Sequence, residues 1–315
     1  MRKSFLYIIM IACAYSLVAC VKSETDNTDR LISFAPVAGK PTKAIIEGTT
    51  YPTSESFVVS AYHNGTAAYF EDQTASYNST NALWETAIPE YWPLAGSLNF
   101  IAYSPASVNA DITSSGVTVD DYTITTAEQL ATDLLYANYT VADCASHPEA
   151  AAITFSHALS QVVFRVKASD YYANTTFAMT SLSLEGINSV GDFSVDSWSN
   201  QASEHTYTIT SSSTALTYDA NDEPETITLG AYLFIPQALG ANAALNVGYS
   251  ITQTVNSTDY TVTNPPVSIH LGGNIVEWEP GKKYIYTLNI GLNNLIQFTA
   301  TAQAWGEAEG GVVVE

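Results

Sequence analysis

The feature that most constrains this fold is an alternation of apolar and polar side chains at period two, repeated along the chain. In residues 161–167, Val162, Phe164 and Val166 fall on one side of an extended backbone, and Gln161, Arg165 and Lys167 on the other. Tyr284, Tyr286, Leu288 and Ile290 alternate with Ile285, Thr287 and Asn289. Ile296, Phe298, Ala300 and Ala302 do the same against Gln297, Thr299, Thr301 and Gln303. Phe57, Val59 and Ala61 share one face of residues 57–62. Successive side chains of a strand point to opposite faces, so this pattern predicts half-buried strands in stacked antiparallel sheets.

Composition agrees. There are 20 Tyr, with abundant Thr, Val and Ile, and only 10 Lys plus Arg to support helices. Asn, Gly, Ser and Asp recur between the apolar runs as turn residues. One segment departs from the pattern. Thr125 and Glu128 have capping-box spacing, and Leu130, Leu134 and Leu135 follow on one side, which predicts a short helix. The stretch 143–149, with Asp143 and Pro148, reads as a linker between residues 31–150 and 151–315. Each part would hold about seven strands, the size of a β-sandwich.

The N-terminus has a separate logic. Arg2 and Lys3 precede an almost unbroken apolar run over residues 5–19. That length suits an export signal and is short for a membrane-spanning helix. The run ends in Leu17, Val18, Ala19 and Cys20, which resembles the lipobox of bacterial lipoproteins, with Cys20 as the acylated residue. Acyl chains anchor by burying methylenes, at about 0.8 kcal/mol each. Residues 20–30, carrying Glu24, Asp26 and Asp29, read as a disordered tether.

Several functions are disfavoured at this level. The formal charge is −21, and cleavage after Ala19 removes two of the ten positive side chains. Such a chain lacks the basic clusters that hold phosphates, so nucleic acid is not an expected partner. With Cys13 in the signal and Cys20 acylated, only Cys144 remains, so no internal disulfide can form. No catalytic motif stands out. His63, His147, His157, His205 and His270 are scattered without metal-ligand spacing, and His157 reads as a hydrogen-bonded structural residue. The acidic stretch 219–225 reads as a solvated hairpin loop, because it lacks the glycine and closing Glu of a calcium loop. Trp92 and Trp278 read as packing residues. No catalytic residue, metal or cofactor is expected.

An ordered series of segments resembles the fimbrillins, pilin and pilin-like lipoproteins of Bacteroidetes. After the lipobox come Leu31-Ile32-Ser33-Phe34, then Pro41-Thr42-Lys43-Ala44, then Ser56-Phe57-Val58-Val59-Ser60-Ala61-Tyr62. Tyr91-Trp92-Pro93 and Leu98-Asn99-Phe100-Ile101-Ala102-Tyr103-Ser104-Pro105 follow. Next are Asp133-Leu134-Leu135-Tyr136-Ala137 and Ile153-Thr154-Phe155-Ser156-His157-Ala158-Leu159-Ser160. Phe234-Ile235-Pro236-Gln237 and Trp278-Glu279-Pro280-Gly281-Lys282-Lys283-Tyr284 complete the set.

The resemblance implies two tandem transthyretin-like β-sandwich domains with at most one or two short helices. It also implies a type V fimbria at the outer membrane and cell surface, with other fimbrial subunits as partners. In that family a trypsin-like protease cuts after a basic residue beyond the first strand, and a neighbour's strand fills the groove that opens. Lys43 is the preferred match, with Lys40 and Arg30 behind it; both lysines read equally well as solvated loop residues. Cutting at Arg30, before the first strand, would free the lipid without opening a groove. Val312, Val313 and Val314, beyond an acidic spacer, read either as a donor strand or as an ordinary last strand. The competing reading is a surface lipoprotein that does not polymerise and binds a glycan or another host or bacterial surface ligand.

Overall fold

The computed structural model describes residues 30–38, 51–124, 133–146, 148–273, 275–292, 296–305 and 312–314. The signal segment with Leu17, Val18, Ala19 and Cys20, the basic residues Lys40 and Lys43, and residues 125–132 of the expected helix lie outside this set.

Strand is nearly the only regular secondary structure among the described residues. A 3-10 turn at Cys144–Ser146 is their one complete helical element. The first strands are β1 (Val37–Ala38), β2 (Phe57–His63), β3 (Ala67–Asn78), β4 (Leu83–Thr86) and β5 (Leu98–Ser104). A small hairpin follows, β6 (Asp111–Thr113) and β7 (Gly116–Thr123), then β8 (Leu135–Val141) and β9 (Thr154–His157). Seven of these make one sheet in the order β1-β9-β8-β5-β2-β3-β4. Leu135 therefore opens a strand rather than closing a helix. Leu135 and Ala137 are buried and their strand pairs with β5, so alternation governs this stretch.

Beyond residue 157 two further sheets face each other. One contains β10 (Ser160–Ala168), β14 (Ile227–Phe234), β19 (Lys282–Ile290), β20 (Ile296–Ala304) and β21 (Val312–Val314), in the order β14-β10-β19-β20-β21. The other is built on β11 (Thr175–Ser194), paired with β12 (Ser197–Thr210), β13 (Thr214–Ala215) and β16 (Ala244–Val255). β17 (Thr258–His270) pairs with β16 at its edge, and Pro265 and Pro266 there remove two donors that would invite further pairing. A two-stranded piece, β15 (Gln237–Ala238) with β18 (Glu277–Trp278), closes one end.

Two of the sheets are mixed, while the sheet built on β11 is purely antiparallel. β10 runs parallel to β19, and β1 parallel to β9. Hydrogen bonding also crosses residue 150 in both directions. β9 joins the first sheet through β8, while the β6–β7 hairpin joins the second region through β11.

Two cores result. In the first, Phe34, Phe57, Phe100 and Phe155 are completely buried. The second is filled by Phe164, Phe177, Phe234, Trp278 and Tyr286, among others. Alternation correctly sends Phe57, Val59 and Ala61 into the first core. Val58 and Tyr62, on the opposite face of β2, are buried as well, in the second core. The β6–β7 hairpin lies over that face, and the Tyr62 hydroxyl donates to the carbonyl of Ile112. Burying side chains of this kind is worth about 1.5–3 kcal/mol each, which explains a stable fold without disulfides.

Candidate functional site

Residues 31–38 form a segment laid into the first core with a neighbour on each side, joined by single bridges at Leu31 and Phe34 and paired as strand at Val37–Ala38. Ile32 and Phe34, two residues apart, point the same way and are buried, at 1% and 0% exposure. The ring of Phe34 meets those of Phe57 and Phe100 edge-on, each at 5.6 Å. On one flank Ile32 N donates to Glu90 O at 2.7 Å, and Phe34 and Trp84 exchange backbone bonds at 2.8 and 3.0 Å. On the other, Ala35 N donates to Ala151 O at 2.9 Å, Val37 N to Ile153 O at 2.8 Å, and Ala151 N to Ser33 O at 2.7 Å. The Ser33 hydroxyl adds a bond to Glu149 O at 2.9 Å. Removing this strand would strip hydrogen-bond partners from both flanks and open a strip of aromatic core.

Arg30 closes the entrance. Its Nε donates to Trp92 O, and its terminal nitrogen donates to Pro93 O and Cys144 O, at 3.2, 2.6 and 3.1 Å. A protease that reads arginine would have to lift this guanidinium off three carbonyls. Tyr51 marks the other limit. Its ring is fully buried and stacks on Phe155 at 5.3 Å, and its hydroxyl bonds Ser104 Oγ and Ser56 O at 2.7 and 3.0 Å. Burial pushes the Tyr51 phenol well above the usual tyrosine range. The described part of this segment ends at Ala38, and the next described residue is Tyr51. Lys40 and Lys43 lie in sequence between them.

At the other end of the chain, β21 is the outermost strand of its sheet. Val312, Val313 and Val314 pair antiparallel with Ala302, Thr301 and Ala300 of β20. Among the described residues three pair here, against a first segment held on both flanks.

The remaining titratable groups are structural. His157 Nδ1 lies 2.7 Å from Asp133 Oδ2, and Trp305 stacks on the imidazole at 3.9 Å with ring planes 7° apart. Burial pushes the Asp133 carboxyl upward even against the pull of His157. Both side chains are inaccessible, so no substrate could reach this pair. Burial likewise pushes the Cys144 thiol upward. In the 219–225 loop, Asp219 Oδ1 accepts the backbone N–H groups of Asn221 and Glu223, which makes that carboxylate part of its own turn. Among the described residues no group of His, Cys, Asp and Glu could hold a metal ion. Trp92 and Trp278 are packed, at 2% and 0% exposure.

The segment 31–34 was visible in the sequence, but the residues that flank it were not. Glu90, Ala151 and Ile153 contribute backbone atoms, which leave no sequence signal.

The model of the fimbrillin-like family matches residues 42–305. The chain belongs to the fimbrillin-like family. Membership places it among structural and adhesive surface proteins rather than enzymes. No curated protein sequence matches this chain. Solved structures similar to this fimbrillin-like chain include a candidate cell adhesion protein from Bacteroides uniformis. The match has a TM-score of 0.51 and 17% identity, and covers 87% of this chain and 99% of the other. A second candidate cell adhesion protein, from Bacteroides ovatus, matches with a TM-score of 0.52 and 15% identity, over 88% and 98% of the two chains. At such identities the likeness speaks to the fold. A C-terminally truncated tip fimbrial protein, Mfa3 of Porphyromonas gingivalis, is similar at a TM-score of 0.46 and 12% identity, over 88% and 99%.

Proposed function

We propose that this chain is a structural subunit or accessory adhesin of a type V fimbria at the outer membrane. In this reading it is exported as a lipoprotein through Cys20 and assembled by strand exchange. The observation that carries the assembly step is the first strand. It supplies Ile32 and Phe34 to the core, yet a cut at Lys43 or Lys40 would sever it from Tyr51 and everything beyond. The strand would leave with the lipid, and the groove would accept a strand from another subunit. Arg30 is disfavoured as the cut site, because its side chain is engaged and the strand would stay behind. Val312 and Val314 share one parity, as Ile32 and Phe34 do, which supports the tail as the donated strand. A three-residue edge pairing is cheap to undo, so β21 can leave β20 for a neighbour.

The test is the N-terminal residue of the protein in sheared fimbriae, read by mass spectrometry. Processing after Lys43 predicts Ala44 as the first residue. A chain beginning at Cys20 in every fimbrial sample would sink the cleavage step and leave a lipid-anchored accessory subunit. Deleting residues 312–315 should abolish polymer ladders while the monomer still folds. Unchanged ladders would refute donation by the tail.

A further inference from the structure

We infer that a small pocket where β10 and β19 both end is a binding site for a single neutral sugar ring. The two strands run parallel, so their C-terminal ends lie side by side, tied by a bond from Ser169 N to Ile290 O at 2.9 Å. A cavity of about 170 Å³ opens beside these two ends, lined by Ser169, Asp170 and Tyr172 after β10, by Gly291 and Leu292 after β19, and by Gln297 of β20. That is the volume of about six liquid waters, suited to one ring rather than a long oligosaccharide.

Its chemistry matches a polyol. Asp170 supplies an acceptor, Asn289 and Gln297 supply amides that both donate and accept, and Ser169 supplies a hydroxyl. Tyr172 and Leu292 give apolar surface for the C–H face of a ring. Tyr172 is steadied by Phe177, with ring centroids 6.1 Å apart. Gly291 keeps the floor bare, since a Cβ there would come within 2.5 Å of Ser169 Oγ. Beside the opening, the Tyr218 hydroxyl donates to Asp170 O at 3.2 Å, and its ring meets Tyr171 edge-on at 5.3 Å. Tyr171 is 45% exposed, an aromatic face on which a ring can stack.

The charge narrows the class. Among the described lining residues the one charged group is the carboxylate Asp170, which favours a neutral sugar over an anionic one. The place in the fold separates this site from the first strand. At the start of β10, Gly281 N bonds Leu159 O and Ala158 N bonds Leu134 O, beside the first sheet. The pocket lies at the other end of that strand, about 26 Å away at ~3.3 Å per residue. The pocket is therefore remote from the groove of the first strand, while its residue Gln297 lies on β20, the strand that pairs with β21.

Saturation-transfer NMR on the full chain tests the inference. The probes are the methyl pyranosides of glucose, galactose, mannose and N-acetylglucosamine, with a methyl sialoside as the anionic control. At least one neutral probe should bind and the sialoside should not. Asp170→Ala and Gln297→Ala should each weaken that binding roughly tenfold, the effect of one lost hydrogen bond to a charged or amide group. Both side chains are exposed, so thermal melting should be unchanged. Absence of binding by every neutral probe overturns the site. So does equal binding of the sialoside, or binding that survives in the double variant.

Discussion

Replacing Phe34 by Ala probes the first strand most directly. Phe34 is fully buried, and its ring has edge-on partners in Phe57 and Phe100. Truncating a buried Phe to Ala costs about 3–5 kcal/mol, part transfer and part cavity. Hydrogen bonds on both flanks hold the backbone in place, so the cavity cannot collapse and the loss should lie near 4 kcal/mol. Urea unfolding followed by tryptophan fluorescence would measure it, with Trp84 beside the strand as reporter. The same measurement then separates a strand that leaves from one that stays. After cleavage by a lysine-specific protease and loss of the strand, checked by mass, the wild type and Phe34→Ala should be equally stable. Phe57→Ala, whose side chain remains in the fold, should destabilise both forms. A loss below about 1 kcal/mol in the intact chain would show that the strand is not part of the core. A difference that persists after cleavage would show that the strand stays docked and no groove opens.

Two further outcomes follow from the same geometry. Arg30→Ala should cost about 1–3 kcal/mol in denaturant unfolding, because three partly buried carbonyls lose a charged donor. Arg30→Lys should restore only part of this, since an ammonium cannot span them as a guanidinium does. Burial raises the phenols of Tyr51, Tyr207 and Tyr286, and pushes Tyr284 up to about 12. Their contribution is therefore complete below the unfolded tyrosine value of about 10 and is lost as pH rises through the folded values. Tyrosinate absorbance from these four should appear together with loss of near-ultraviolet dichroism; ionisation well before that loss would contradict their burial.

The legibility of the fold varied by element. β10 and β19 were readable from the core-facing parity of Val162, Phe164 and Val166 and of Tyr284, Tyr286 and Leu288, but the burial of Gln161, Val163, Lys283 and Ile285 on the other parity was not foreseen, because it depends on what covers that second face. β2 was half readable. Phe57, Val59 and Ala61 announced one buried face, but Val58 and Tyr62 needed the distant β6–β7 hairpin to cover the other. Leu134 and Leu135 fitted a helical stripe equally well, and only pairing with β5 assigned Leu135 to a strand. The parallel pairing of β10 with β19 had no local signal, because registry between remote segments leaves no periodicity in either.

By itself, the sequence determined that the described chain would be built on strands and that it would hold its fold without a disulfide. These follow from local chemistry: side-chain parity, β-branched and aromatic content, and the cysteine count. The tertiary structure alone decided that Ile32 and Phe34 would be held between Trp84 and Ala151, that Arg30 would be spent on three carbonyls, and that β10 and β19 would end around one pocket. Each depends on backbone groups far apart in the chain. Backbone atoms are the same in every residue, so a sequence cannot say which of them will meet.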